Sequence, residues 1–563
     1  MKTQLAASLL FFSIVVHPGT SRAAWVTNGN ALCTFATDQV DEAIVSDGAG
    51  GAIVVWEDFR NFSNYDIYAQ RINASGAVLW TADGVAISTA TGNQSFPVVV
   101  SDGAGGAIIA WADNRGTDRD IYAQRINAAG VVQWTANGVG ICTASRGQDN
   151  ATIVADGSGG AIITWQDNRN NTDDNVFAQR INSTGAVQWV AGGVVVCSAT
   201  GDQDFPSLAS DGGGGAIIAW QDLRLSAATH IYSQRLNASG VAQWTANGVA
   251  ICTAVNNQFQ PLVTSDGAGG AIVTWNDARV GITTSDIYAQ RINSTGTVQW
   301  AVNGVALCTA TDDQYTKSVA SDGAGGVIAA WWDRRSGGRD IYARRIDPTG
   351  TPQWTADGVA LCTATDEQSL PTIAPDGAGG AIVTWSDNRV FPFDIYAQKI
   401  NATGTVQWTA NGVILCGAAD EQLTPAVAAD GGGGAIVAWQ DLRNGSDTDI
   451  YAQRVSSSGL IPTAVSSLTP ALALIVGDNY PNPFAAGTSF DVTTKRESAI
   501  TVDVFDVAGR RVRHADLGHM SSGWRQVSFD GRDNAGHLLP SGVYFYRVEA
   551  TGTTVTKKMV ISR

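Results

Sequence analysis

"AAWVTNGNALCT" (residues 23–34) is the end of a repeat standing at the start of a chain. Near copies follow as "QWTANGVGICT" (133–143), "QWTANGVAICT" (243–253) and "QWAVNGVALCT" (299–309), each closing a long stretch that the first copy lacks. Working outward, an S-D-G-A-G-G-like turn recurs with its aspartate at Asp47, Asp102, Asp156, Asp211, Asp266, Asp322, Asp376 and Asp430, at intervals of 55, 54, 55, 55, 56, 54 and 54 residues. Nine residues after each aspartate stands Trp56, Trp111, Trp165, Trp220, Trp275, Trp331, Trp385 or Trp439, and every one opens a W-x-D-x-R motif.

Each unit reads as four strands, exemplified by "FPVVVSD" (96–102), "GAIVVWED" (51–58), "DIYAQRIN" (66–73) and "AVLWTADGVAIST" (77–89). The residues are β-branched and aromatic, and the breaks are Gly, Asn and Asp. "AIIAW" and "AIVTW" are apolar at consecutive positions, which predicts strands covered on both faces, as in the blades of a β-propeller. The last unit runs "DIYAQRVSSSGLIPTAVSS" (449–467) and never supplies its fourth strand. The N-terminus supplies that strand and nothing before it. A ring can use this offset, because the first strand completes the last blade and removes two free edges. The expectation is an all-β chain: an eight-bladed propeller over 24–460, closed by 25–34 pairing beside Asp449–Val455.

Composition agrees with an exported all-β protein. The 563 residues include 63 Gly and 18 Trp, only 15% are charged, and the net charge of −16 argues against nucleic acid as a partner. Lys2, the apolar run from Leu5 to Val16 and the small residues Ser21 and Ala23 read as a secretory signal over 1–23. No other segment is apolar for long enough to span a bilayer as a helix. Cys33, Cys142, Cys197, Cys252, Cys308, Cys362 and Cys416 share one repeat position, with Ser88 in the remaining unit. Equivalent points on successive blades are too far apart for disulfides, so buried reduced thiols are expected.

The period varies in one place only. From the motif arginine to the third strand there are 6, 5, 6, 6, 7, 5, 5 and 6 residues. Variable loops on a fixed scaffold are where binding concentrates. The same face carries the fourth-to-first connection, with a glutamine in every unit (Gln39, Gln94, Gln148, Gln203, Gln258, Gln314, Gln368, Gln422). Exposed aromatics suited to sugar or peptide are expected there: Phe59, Phe62 and Tyr65 in the first loop, Trp332 in the sixth, Phe391 and Phe393 in the seventh. The eightfold Asp–Arg pair is expected to be structural, since a catalytic site needs unlike groups converging on one point. One aspartate per D-G-A-G-G turn is too few for calcium, and within the repeats His230 is the only histidine, so no metal or other cofactor is expected. Glutamate is scarce there (Glu42, Glu57, Glu367, Glu421), and the matching positions of Glu367 and Glu421 make them the carboxylate pair to test.

After 460 the repeat stops; 461–478 reads as a linker and 479–563 as a small β-sandwich. Tyr480-Pro481-Asn482-Pro483-Phe484, Val504-Phe505-Asp506-Val507-Ala508-Gly509-Arg510, Gly542-Val543-Tyr544-Phe545 and Lys557-Lys558-Met559-Val560 occur in order. This segment resembles the type A C-terminal sorting domain of type IX secretion cargo. "FDGRDNAGHLLPSGVYFYRV" (529–548) also resembles the Ig-like domain of flagellar hook-capping proteins. The first resemblance implies passage across a Gram-negative outer membrane by its secretion machinery, followed by release or anchoring at the cell surface. The repeats resemble, more loosely, propeller repeats of about 55 residues in secreted bacterial proteins, which carry no assigned chemistry. The combined expectation is a secreted or cell-surface, non-catalytic propeller that binds an extracellular glycan or protein through its variable-loop face. A polysaccharide-active glycosidase or lyase on that face, or a structural or adhesive surface component, are the alternatives.

Overall fold

The computed structural model describes residues 25–225, 228–281, 284–461, 474–477, 479–494, 498–520, 523–550 and 553–563; the expected signal at 1–23 and most of the expected linker lie outside them. The chain divides into two units, Met1–Thr463 and Ala464–Arg563.

In the first unit, among the described residues, the repeats fold as eight four-stranded antiparallel sheets. The first sheet comprises Gln39–Ser46, Ala52–Asp58, Asp66–Ile72 and Val85–Ser88. Seven sheets run in chain order, and the eighth joins Gln422–Ala429, Ala435–Asp441 and Asp449–Val455 to Asn30–Cys33. Asn30 pairs with Ala452 and Ala31 with Tyr451, in the register by which Val85 meets Ala69 and Ala86 meets Tyr68. First strands of consecutive sheets pack side by side, and Gln422–Ala429 packs against Gln39–Ser46.

Second strands such as Ala52–Asp58 are buried at all seven positions, which is why they lack polar alternation. The fourth strand is shorter than its apolar pattern suggests. Within 77–89 only Val85–Ser88 is strand, and Val78 makes a lone bridge to Ile72. The interruption is a turn whose glycine sits on the buried tryptophan: at Gly84 (φ +90) a Cβ would lie 2.6 Å from the Trp56 indole. Gly29 stands the same way on Trp439, where a Cβ would approach to 2.5 Å. Each such tryptophan is fully buried and removes ~200 Å² from water, worth about 5 kcal/mol.

The W-x-D-x-R motif lies in the seam between sheets. Trp56 donates its indole N–H to Asp58 (2.8 Å), and Arg60 holds the same carboxylate through Nε (2.8 Å) and Nη2 (2.6 Å). Arg60 also donates to the Asp83 carbonyl of its own sheet, lies 3.7 Å from the Tyr68 ring centre, and touches the Cys33 sulfur of the preceding sheet. In the last seam Arg443 donates to the Asn28 carbonyl, so the N-terminal segment fills the place that Asp83 fills in the first. All seven cysteines are buried and free, and burial pushes Cys142 up to about 11 and Cys33 to about 12, so they pack as inert thiols.

At the other edge of the seam, Asp47 caps its turn by accepting the Ala49 and Gly51 amides (2.8 Å each) and pairs with Arg71, which reaches on to the Ala128 carbonyl of the next sheet. The corresponding Arg454 reaches the Ala74 carbonyl of the first sheet. The D-G-A-G-G aspartate is therefore used in turn and seam.

A glutamine and an acid recur together in the seams. The conserved-position glutamine donates its amide to the preceding turn, as Gln94 does to the Gly92 carbonyl (2.6 Å). Its carbonyl oxygen is buried and unpartnered in Gln39, Gln94, Gln148, Gln203, Gln314, Gln368 and Gln422. The exception is Gln258, whose Oε1 lies 2.9 Å from His230 Nδ1. At the position of His230 six other sheets carry aspartate. Burial pushes Asp66, Asp120, Asp286 and Asp394 up to about 6 and Asp449 to about 7. These carboxyls stand at the repeat position of His230, and a neutral carboxyl there carries an O–H, the kind of donor that the unpartnered glutamine oxygens lack.

The second unit holds a three-stranded sheet (Leu474–Val476, Thr488–Thr494, Gly523–Phe529) and a four-stranded sheet in the order Arg511–Met520, Ser498–Asp506, Gly542–Ala550, Thr553–Ile561. Phe490, Val492, Val502, Val504, Tyr546 and Val548 form its core, with Phe490 stacked on Tyr546 at 4.3 Å.

Deleting 24–36 removes a paired strand and the Asn28 acceptor, so its melting temperature should fall by far more than trimming of an ordinary terminus would cause; Gly29→Ala should lower it too, through the clash with Trp439. An unchanged melt for the deletion would refute the role of this strand. The acid-headed seams set a second expectation. An aspartate whose folded value lies above its unfolded value of about 3.9 stabilises the fold fully below that value, and the contribution is lost as pH rises through the folded value. The melting temperature should therefore fall between pH 5 and pH 8, and Asp449→Asn, which keeps a donor at every pH, should flatten the fall.

Candidate functional site

Every first strand carries a β-bulge near its start. In the second sheet Ser95 pairs with Ala112 and Val98 with Ala110, leaving Phe96 and Pro97 opposite Trp111. The bulge residue takes a left-handed backbone in seven sheets: Asp41, Phe96, Asn150, Phe205, Gln260, Leu370 and Thr424, with φ between 48 and 55°. The next residue is proline in five sheets (Pro97, Pro206, Pro261, Pro371, Pro425), which a bulge accommodates because no ladder bond is asked of it. The other three are Ala151, Glu42 and Lys317.

Several bulges are tied to the neighbouring sheet by the middle residue of W-x-D. Glu57 Oε1 accepts the Phe96 N–H at 2.6 Å, and Asn276 Oδ1 accepts the Thr316 N–H at 2.8 Å. In the closing direction Gln440 donates to Glu42 at 3.0 Å.

Because first strands pack in succession, their bulges line common space. A cavity of ≈ 470 Å³ is walled by Asp41, Glu42, Phe96, Asn150, Phe205 and Gln260 with their neighbours on five first strands. A second, of ≈ 270 Å³, is walled by Glu42, Lys317, Leu370, Pro371, Thr424 and Pro425. Glu42 belongs to both. The rings of Phe96 and Phe205 remain 55% and 46% exposed, so the wall presents aromatic surface beside amides and carboxyls. Arg119 ties this region to a variable loop: it pairs with Asp149 at 2.5 Å and lies 5.9 Å from the Phe96 ring centre.

Two of the acids are strongly perturbed. Burial pushes Glu42 up to about 8 against the hydrogen bonds from Gln440 and Thr424. Burial pushes Glu57 up to about 7, opposed by the Phe96 amide and reinforced by the charge of Asp41. In both, desolvation favours the neutral carboxyl.

The residues singled out in the sequence are placed as follows. Phe59 and Tyr65 pack on each other at 5.1 Å, within their own loop. Phe62 and Phe391 stand 71% and 80% exposed, while Phe393 is half-buried and its carbonyl accepts the Gln422 amide. Trp332 lies within strand Val327–Asp333 rather than in the loop, stacked on Tyr315 at 5.0 Å with Arg339 over its ring at 4.8 Å. Glu367 pairs with Arg339 at 3.3 Å, and the Glu421 carbonyl accepts the Leu442 amide. Neither of the two glutamates lines the cavities; Asp41 and Glu42 are the acids that do, and Glu57 lies behind them, within electrostatic reach of Asp41. The signal that could have found them is departure from the repeat: Glu42 and Lys317 stand where most units have proline.

In the second unit, the motif residues hold the sandwich. Asn482 Oδ1 accepts the Val560 amide, Asp506 caps its turn on Ala508 and Arg510, Gly509 takes φ +77, and the Tyr544 hydroxyl donates to Pro540. Pro481 and Pro483 are exposed on the same segment; Gly542 pairs with Ile561, Lys557 with Tyr546 and Lys558 with Phe545.

Residues 477–554 match the FlgD Ig-like domain, in agreement with the hook-capping resemblance of this segment. No curated protein matches the chain. Among solved structures the chain is similar to FLGD from P. aeruginosa (23% identity, 13% of this chain and 59% of that one, TM-score 0.12). It is also similar to the GH93 alpha-L-arabinofuranosidase of Fusarium graminearum in complex with arabinobiose (11% identity, 55% and 93% covered, TM-score 0.30) and to the polysaccharide lyase Uly1 (10% identity, 71% and 93% covered, TM-score 0.35).

Proposed function

We propose that the first unit is an exported, eight-bladed β-propeller closed by Asn30–Cys33, and that it binds an extracellular glycan without turning it over. Closure is supported by the pairing of that strand with Asp449–Val455 and by the packing of Gln422–Ala429 on Gln39–Ser46. Residues 1–23 are its secretory signal, and 479–563 serve its sorting through the outer-membrane machinery and its release or anchoring at the cell surface. The ordered motifs from Pro481 to Lys558 support this last role.

The observation that carries the binding reading is the wall of the larger cavity. Phe96 and Phe205 offer exposed rings beside Asn150, Gln260 and Asp41. A pyranose has apolar C–H faces and polar hydroxyl edges, and such a wall satisfies both. Absence of turnover is argued from Glu57: it makes the bond to the next bulge that Asn276 makes in its own seam, so its first task is structural.

The perturbed acids favour polysaccharide cleavage as a second reading. Burial favours the neutral form of the Glu42 carboxyl, and a second carboxyl, Asp41, lines the same cavity; two carboxyls in one cavity are the composition of a general acid and base.

Glycan array screening followed by calorimetry should find an oligosaccharide ligand whose affinity falls about tenfold in Phe96→Ala or Phe205→Ala. Equal affinity in both variants would remove this cavity as the site. Turnover on polysaccharides, lost in Glu42→Gln and Glu57→Gln with the fold intact, would replace the binding reading by the enzymatic one.

A further inference from the structure

The ring of bulges contains one cation. Lys317 is one of two lysines between residues 24 and 460. The other, Lys399, stands where other repeats have arginine and does that residue's work, pairing with Asp376 (3.4 Å) and donating to the Gly433 carbonyl (2.9 Å). Lys317 has no such employment. It is exposed, and among the described residues no hydrogen bond or ion pair uses its ammonium group. It occupies a position filled by proline in five sheets and alanine in one, so no packing requirement of the repeat explains a long charged side chain there.

Its surroundings suit an anion. Lys317 lines the smaller cavity with Leu370, Pro371, Thr424 and Pro425, a wall that carries one acid, Glu42. Glu42 is half-buried and already bonded by Gln440 and Thr424, and burial favours its neutral form. Asp41 lines the larger cavity and not the smaller one. An incoming carboxylate would therefore meet a cation and a largely neutral wall on the Lys317 side.

Resting on the glycan reading above, we propose that the ligand is an acidic glycan of the uronate type, and that Lys317 is a specificity-determining residue that pairs with one of its carboxylates. The aromatic wall at Phe96 and Phe205 takes sugar faces, and Lys317 selects the charged ring across Glu42. An ammonium–carboxylate contact in a partly enclosed site is a charge-assisted bond, and its loss weakens binding about tenfold.

The test uses the full chain and matched probes: oligomers of galacturonate, glucuronate, mannuronate and guluronate, each compared by calorimetry with its carboxyl-reduced neutral counterpart. At least one uronide should bind about tenfold more tightly than its reduced form. Lys317→Gln should abolish that difference and leave affinity for the reduced form unchanged, while Lys317→Arg should keep it. Melting temperatures read in parallel should match the parent, since the side chain is exposed. If acid and neutral forms bind equally, or if Lys317→Gln still discriminates, the assignment to Lys317 is overturned and the glycan reading survives. If no oligosaccharide of either kind binds while neutral and acidic glycans fail alike on an array, the glycan reading falls and this inference with it.

Discussion

The buried Asp58–Arg60 pair and its seven counterparts are the constraint on which the first unit depends. The carboxylate has no exposure and would be costly to bury alone; removing one partner of such a pair costs about 3–5 kcal/mol. Here the aspartate accepts from the tryptophan indole and from two arginine nitrogens, and the arginine goes on to a carbonyl, a tyrosine face and a cysteine of the preceding sheet. The second strand, the third strand, the fourth-strand turn and the neighbouring sheet are thereby held at one point. Repetition of that point explains why the sheets vary so little and why variation in length is confined to the loops beyond it.

The same scaffold explains where a site can form. Seams consume the side chains that the repeat holds constant. The bulges of the first strands are the places where side chains are released from that duty, because bulge residues are unpaired in the ladder. There the repeat tolerates Phe, Asn, Gln, Leu and Asp, and there Glu42 and Lys317 replace proline. A site of unlike groups can arise in a repeat only where units differ, and the unlike groups Glu42, Lys317, Phe96 and Phe205 meet on the surfaces of two adjoining cavities.

The sequence predicted the four-strand unit, the doubly buried second strand, the structural use of the Asp–Arg motif and the free thiols, because each rests on a pattern repeated up to eight times. The offset of "AAWVTNGNALCT" against the last unit predicted its partner strand, and Asn30–Cys33 does pair with Asp449–Val455. The fourth strand was misjudged in length because apolar periodicity does not register a turn whose glycine is set against a tryptophan. The site was less legible. Loop aromatics such as Phe59 and Tyr65 suit either a ligand surface or packing within their own loop by sequence, and in the structure these two pack on each other. Trp332 is strand-borne, and Glu367 is paired with an arginine.

Local pattern by itself determined the unit, its count and its phase, since alternation, turn chemistry and spacing are properties of neighbouring residues. It also placed a separate β-sandwich after the repeats. Only the tertiary structure decided which residues meet. Glu42, Phe96, Phe205 and Lys317 are tens to hundreds of residues apart, and they share cavity walls only because successive first strands pack side by side and a backbone bulge turns one position per strand toward common space. The raised values of Glu42 and Glu57 belong to the same level, because desolvation depends on what surrounds a carboxyl in space and on nothing adjacent to it in sequence.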